Sequence, residues 1–300
     1  MNDRKTHLDP RAVWLVLTCA ALWGLNQVAS KVALAEIPPL TQAAARSAGA
    51  ALLLALWSHA RGLPVWRTEG TLAPGLLAGS LFGLEFACIF FGLQYTAASR
   101  MAVFIYMAPF VVALGMPLIA PAERLDRWQL TGLVTAFGGV LWAFLGGFTA
   151  PAVGPLQWLG DTLGLCAALL WGLTTLVLRG SRLATALPEQ ALLYQLGVSA
   201  LGLAAGAWAA GEQWPQQLTG ASLWPLAFQT VVVSFASYLT WFWLIRHYPV
   251  TRLSAFTLTT PIWGLLAGVL LLGEPLTVRL GVAVAAVSLG IALVNHRKDT

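Results

Sequence analysis

Charge is what this chain lacks. Of its 300 residues only 10% are Asp, Glu, Lys or Arg, while 58% are hydrophobic. Soluble domains carry about 25% charged residues. The deficit excludes an ordinary soluble protein and leaves an integral membrane protein. The four histidines, His7, His59, His247 and His296, fall in loops or tails without paired ligand spacing. That argues against a metal site. Cys19, Cys88 and Cys166 each sit alone in an apolar run, as small packed thiols do, and no disulfide framework is expected. Neither G-x-x-x-x-G-K-[ST] nor G-x-S-x-G occurs, so nothing suggests ATP hydrolysis or a serine hydrolase. The net charge of +5 comes from Lys and Arg set singly between apolar runs, with no basic cluster. No nucleic-acid partner and no cofactor are expected from this composition.

What is present is length of apolar sequence. A helix needs about 20 mostly apolar residues to cross a bilayer. Ten such stretches are read near Val13–Leu34, Leu40–Ser58, Leu72–Leu93, Ser99–Ala120, Trp128–Gly147, Leu159–Val177, Pro188–Ala210, Ser222–Ile245, Leu253–Leu272 and Val278–Asn295. The fold class is therefore an all-α membrane protein. The polar start, MNDRKTHLDPRAV, precedes an apolar run too long for the core of a signal peptide, so no cleaved leader is expected. With the N-terminus in the cytoplasm, Arg61, Arg67, Arg124, Arg127, Arg179, Arg182, Arg246 and Arg252 lie inside together with the basic residues of both tails. Only Lys31, Arg100 and Arg279 then lie outside. The positive-inside bias places both termini in the cytoplasm.

The chain repeats itself. ALWGLNQVASK echoes LLWGLTTLVLR, with Trp23 and Trp171, and Lys31 and Arg179, 148 positions apart. SRMAVFIYMAP echoes TRLSAFTLTTP, with Arg100 and Arg252, and Pro109 and Pro261, 152 apart. Glu123 and Glu274 follow the two segments of the second echo. The reading is two halves, residues 1–150 and 151–300, joined near Thr149 to Pro155. Five helices per half is an odd number, so the second half enters the membrane from the opposite side. Such inverted repeats place a site near the midplane between the halves.

Polar residues at helical spacing mark the faces that avoid lipid. One stripe is Trp23, Asn26, Gln27 and Ser30. A second is Ser234, Ser237, Tyr238 and Trp241. A third is Phe256, Thr259, Thr260 and Trp263, and Trp171, Thr174 and Thr175 follow the same logic. Hydrogen bonding between helices would explain single Ser and Thr residues. The aromatic and amide residues together suggest a cavity wall. Tyr106 shares a face with Pro109 and joins the candidates. Trp14, Trp57, Trp66, Trp128, Trp158, Trp208, Trp214 and Trp224 lie near span ends and read as interfacial anchors. Trp23, Trp171, Trp241 and Trp263 lie deeper. Gly75, Gly79 and Gly83 recur every four residues and invite a close helix neighbour. Pro109 and Pro261, at matching places, suit either kinks or hinges.

Glu85 stands alone in SLFGLEFACIFFGL. A carboxylate at that depth costs about 2.5–3.5 kcal/mol on insertion scales. Three readings stay open: a structural pair with Arg46 at similar depth, contact with a substrate ammonium, or proton carriage.

The chain resembles the drug/metabolite transporter superfamily, EamA-type, in its ten-helix form. The resemblance is carried by ALWGLNQVASK, PPLTQAAARSAGAALLLAL with Arg46, LQYTAASRMAVFIYMAPF, PAERLDRWQLTGLVTAFGGVL, GDTLGLCAALLWGL and TTPIWGLLAGVLLLGEPLTVRLGVAVAAVSLGIAL. APAERL departs from the leucine-glycine that more often precedes the glutamate. The resemblance implies a bacterial inner-membrane permease with a central cavity, most similar to exporters of aromatic amino acids. The substrate-binding candidates are then Trp23, Asn26, Glu85, Tyr106, Trp171, Ser237, Tyr238, Trp241 and Trp263, with Pro109 and Pro261 as hinges. Its partners would be a small solute and the lipid bilayer. Oligomeric state is open and a monomer suffices. Export of drugs or toxic cations is the alternative, and a polytopic membrane enzyme a more distant one.

Overall fold

The computed structural model describes residues 5, 7–66, 69–96, 98–149, 154–215, 217–272 and 278–295. Gln27, Lys31, Glu274, Arg279 and most of the junction near Thr149 to Pro155 were named above. The side chains of the first two and of Arg279, all of Glu274, and residues 150–153 lie outside what it describes. Among the described residues there is helix and no strand. The α-helices in chain order are α1 (Pro10–Ala33), α2 (Pro39–Ala60), α3 (Leu72–Gly92), α4 (Ala98–Ile105), α5 (Ala108–Ile119), α6 (Arg127–Ala143), α7 (Gly146–Thr149), α8 (Gln157–Gly180), α9 (Pro188–Ala209), α10 (Gly220–Ala227), α11 (Tyr238–His247), α12 (Val250–Phe256), α13 (Thr260–Leu272) and α14 (Val278–Val294). Six described stretches are long and apolar enough to cross a membrane: Pro10–Ser30, Leu72–Gly92, Arg100–Ile119, Gln157–Gly180, Pro188–Ala209 and Gly220–His247.

Local chemistry starts these helices. Asp9 caps α1 by accepting from the Ala12 N–H, and Pro10 opens the helix, where its missing N–H costs nothing. Asp126 and Gln129 form a reciprocal capping box on α6. Other caps come from distant parts of the chain. Glu212 accepts from the backbone N–H groups of Leu40 and Thr41 at 3.2 and 2.7 Å. Glu36 accepts from the Thr219 N–H at 2.9 Å and from the Thr219 hydroxyl at 2.6 Å. Those bonds and one from Ser222 hold the Glu36 carboxyl below its usual range. Glu123 accepts from the Val250 N–H at 2.7 Å and pairs with Arg179 at 3.1 Å. Each places a carboxyl group at a helix N-terminus, where the helix dipole favours negative charge.

Three stretches expected as plain helices are interrupted. Residues 99–120 break at Tyr106 and Met107, between α4 and α5. Pro109 has no N–H for the carbonyl of Ile105, where α4 ends. Residues 253–272 break at a 3₁₀ turn over Thr257–Thr259. Pro261 likewise has no N–H for the carbonyl of Thr257, which accepts from the Thr260 N–H instead. Between α10 and α11 the backbone is a π-helix over Phe228–Ser237, entered just after Pro225. π-helical turns are rare and usually much shorter.

Close packing follows the glycines. α3 lies against α8 and α9, α2 against α9, α1 against α13, and α6 against α14. A Cβ on Gly79 would lie 2.6 Å from Val198 Cβ, and one on Gly75 would enter the Tyr194 ring. The glycine stripe of α3 is thus the seat of α9. Gly132 and Gly290 bring α6 and α14 into backbone contact, each added Cβ meeting the other's carbonyl. The tryptophans read as interfacial anchors, from Trp14 to Trp224, are all exposed. Replacing Gly290 by Val drives a side chain into the backbone of α6. Overpacking of this kind costs about 1–3 kcal/mol. We expect Gly290→Val to lower both monodisperse yield and Tm in detergent. Gly138→Ala on α6, whose added Cβ meets nothing within 4 Å, should leave both unchanged or slightly raised.

Candidate functional site

Aromatic side chains gather beside the breaks and the π-helix in two neighbouring clusters. α1 contributes Trp23. Its indole N–H donates to Ser237 Oγ at 2.9 Å, and Ser237 donates onward to the Val233 carbonyl at 2.6 Å. The Trp23 ring stands edge-on to Tyr238 at 6.0 Å and to Trp241 at 5.4 Å. α3 adds Phe82, 6.0 Å from Tyr238, and Phe86, 5.0 Å from Phe82. Tyr106, in the break between α4 and α5, stands edge-on to Trp171 of α8 at 6.0 Å. Its hydroxyl faces Thr260 at the start of α13. Edge-to-face pairs such as these are each worth about 0.5–1.5 kcal/mol beyond the area they bury.

Glu85 of α3 lies within electrostatic reach of Tyr106 and Tyr238. It is buried, and its Oε2 has no hydrogen-bond partner. Arg46 of α2 is buried too and acts on Glu85 through space. Among the described residues, however, no ion pair joins the two. The direct structural pair is therefore not formed in this conformation, and both charges remain open to a third group.

More unmet polar atoms share this interior. Asn26 Oδ1, Ser47 Oγ, Ser234 Oγ and Thr260 Oγ1 are buried without partners. Gln42 Nε2 donates to Gln229 Oε1 at 3.0 Å, and Ser30 Oγ reaches the same oxygen at 3.4 Å. The far ends of both amides stay unmet. Gln229 and Ser234 are five residues apart, which is one turn of the π-helix holding them. Native interiors leave few buried polar atoms unsatisfied, and each such atom calls for a reason.

Of the residues picked from sequence, Trp23, Ser237, Tyr238 and Trp241 meet in one cluster and Tyr106 and Trp171 in a second, with Glu85 acting electrostatically on a tyrosine of each. Asn26 lies one turn along α1 from Trp23. Pro109 and Pro261 are buried beside the two breaks. Trp263 does not join: it is 37% exposed on α13. Thr260, at the start of the same helix, is fully buried. Thr174 and Thr175 bond to their own helix carbonyls, of Leu170 and Trp171, as structural hydroxyls do. Gln42 and Gln229 were missed. Gln42 and Arg46 share a face of α2 at i and i+4, a signal that stripe reading could have used.

Charged clusters lie toward the starts of α1 and α8. Asp161 accepts from Thr96 Oγ1 at 2.6 Å and from Arg100 Nε at 3.1 Å, and Arg100 Nη2 completes a two-pronged bond. Asp9 accepts from the Tyr248 hydroxyl at 3.1 and 3.0 Å, and Arg252 meets His7 at 2.8 Å. Asp9 and Asp161, Thr96 and Tyr248, and Arg100 and Arg252 are each 152 positions apart. Lys5 bonds to Asp9 and is the largest influence holding its carboxyl down at about 2. Asp9 therefore stays charged in the folded chain until pH falls toward that value, and its contribution to stability is lost progressively as pH falls from its ordinary value of 3.8 through about 2.

Known proteins agree with this architecture. Residues 10–145 and 158–296 each match the EamA-like transporter family. An uncharacterized protein of Pseudomonas aeruginosa is 31% identical over 98% of this chain and 96% of its own length. The uncharacterized transporter YvbV of Bacillus subtilis is 27% identical, covering 96% of this chain and 92% of that one. A protein of Salmonella typhimurium named a probable amino-acid metabolite efflux pump is 27% identical over 88% of each. A solved crystal structure superposes with a TM-score of 0.81 at 19% identity, covering 95% of this chain and 96% of that one, which shows a shared fold. The chain belongs to the EamA-like transporter family and is a membrane transporter of the drug/metabolite superfamily.

Proposed function

We propose that the protein exports small metabolites, foremost amino acids with apolar or aromatic side chains, across the bacterial inner membrane. Transport leaves the solute chemically unchanged, and both termini lie in the cytoplasm. The observation that carries this reading is Glu85: a buried carboxyl group with an unmet oxygen, within electrostatic reach of Tyr106 and of Tyr238, whose ring packs on Trp23 and Phe82. A carboxylate in such a setting suits an ammonium, and aromatic rings suit a flat or apolar side chain. The efflux pump named for Salmonella typhimurium supports the substrate class. The same carboxylate and rings would also suit a hydrophobic cation, and flux of such cations without amino-acid flux would favour that second reading.

Movement follows from the repeat. In this reading residues 1–150 and 151–300 are inverted five-helix halves, with ten membrane-spanning helices in all, and the site alternates between the two sides. The contacts at 152-residue spacing support it. Asp161 of α8 clasps the start of α4, and Asp9 ahead of α1 clasps the start of α12, each across the halves. The first is the outer latch and the second the inner one. Pro109 and Pro261, beside the two breaks, are the matching hinges.

Two outcomes are expected. In proteoliposomes loaded with labelled phenylalanine, Glu85→Gln should keep its folded yield and lose about 10- to 100-fold in flux, the size of one charge-assisted hydrogen bond. Full flux in that variant would remove Glu85 from the site. The latches are checked by labelling Asn26→Cys, in a background without Cys19, Cys88 and Cys166, with an impermeant thiol reagent added outside. Asp161→Asn should speed labelling and Asp9→Asn should slow it. Equal shifts in the same direction would contradict the inverted arrangement.

A further inference from the structure

Arg46 holds a charge that the rest of the structure does not use. It lies on α2 at 3% exposure, and arginine does not lose its proton in proteins. The Phe86 ring covers one flat face of the guanidinium, with its centroid 4.2 Å from Cζ. The Tyr238 hydroxyl lies within side-chain hydrogen-bonding reach. Yet Nε and Nη2 are both buried and have no hydrogen-bond partner. A buried cation left so is costly unless something fills the place.

The two open nitrogens form one edge of the guanidinium. That edge presents two parallel N–H groups and matches the two oxygens of a carboxylate. The same protein uses this edge elsewhere. Arg100 holds Asp161 with Nε on one oxygen and Nη2 on the other. Arg46 presents the same fork, already fixed by its aromatic neighbour, with no carboxylate on it. Glu85 does not take the place, since it makes no ion pair and its own Oε2 is unmet.

We propose that Arg46 receives the carboxylate of the transported solute through its Nε and Nη2 edge. The inference rests on the reading of the central cluster as the transport site and narrows its substrate class. The solute then carries a carboxylate next to an apolar or aromatic body. With the carboxylate on Arg46 and an ammonium on Glu85, the pocket recognises the zwitterionic end of an amino acid, and the rings receive its side chain.

Binding to the purified protein separates the parts. The probes are phenylalanine, 3-phenylpropionate, which lacks the amine, and phenylethylamine, which lacks the carboxylate. Wild type should bind both carboxylates better than the amine. Arg46→Lys keeps the charge but loses the fork, and it should weaken both carboxylates at least tenfold while leaving phenylethylamine unchanged. Arg46→Gln should do the same or more. If Arg46→Gln does not fold, Arg46→Lys and the wild-type ranking decide. Retained 3-phenylpropionate binding that is lost in Arg46→Lys supports the inference even where amino acids are not carried and the substrate reading above fails. Binding of the amine as tight as that of either carboxylate, no binding of either carboxylate, or carboxylate binding unchanged in Arg46→Lys overturns it. None of these removes transport itself.

Discussion

A backbone or side-chain polar atom that meets hydrocarbon without a partner costs several kcal/mol. In a chain with so few charges, this cost decides where each polar group goes. It makes the described backbone helical, and it turns the polar stripes of α1, α2, α8 and α11 away from lipid. It also sends carboxylates such as Glu36, Glu123 and Glu212 to helix N-termini. Glu85, Arg46, Asn26 and the free ends of Gln42 and Gln229 remain unmet in the interior. The same cost that organises the fold therefore singles out the place where a solute or water is needed.

Some buried hydroxyls are satisfied locally, as those of Thr174 and Thr175 are by their own helix. Several side chains of the central region sit where regular helix fails. Tyr106 stands in the break before Pro109, Thr260 follows the tight turn before Pro261, and Ser234 and Ser237 belong to the π-helix. Irregular backbone is tolerated at membrane depth where it is covered by protein or lines a cavity. Two prolines at equivalent places give both halves such a break. The rings of Trp23, Trp171, Tyr238 and Trp241 fill the space between the breaks with flat, rigid surfaces.

In the proposed mechanism, the two latches link this interior to the ends of the helices. Asp161 lies ten residues before Trp171, roughly 15 Å along α8 at 1.5 Å per residue. Asp9 lies fourteen before Trp23, roughly 20 Å at the same rise. Each latch joins the start of one half's first helix to the other half. A rigid helix between latch and ring is a direct mechanical connection, because packed interiors shift between discrete arrangements and do not deform smoothly.

The sequence by itself determined the class, the helical segments and most members of the cluster. Hydropathy and composition are summed along the chain, and one-turn spacing within a single helix needs no knowledge of its neighbours. The prolines marked the breaks for the same local reason. Tertiary structure alone decided the rest. Trp263 would share a stripe with Phe256 only if one regular helix ran through both, and the tight turn over Thr257–Thr259 interrupts it. The π-helix over Phe228–Ser237 is set by hydrogen-bond register, which no residue type announces. Arg46 and Glu85 lie on adjacent segments of the chain at similar depth, so the sequence allowed a pair between them. Whether two such charges touch depends on how α2 and α3 are rotated against α9 and α11, and that rotation is a property of packing among helices far apart in the chain.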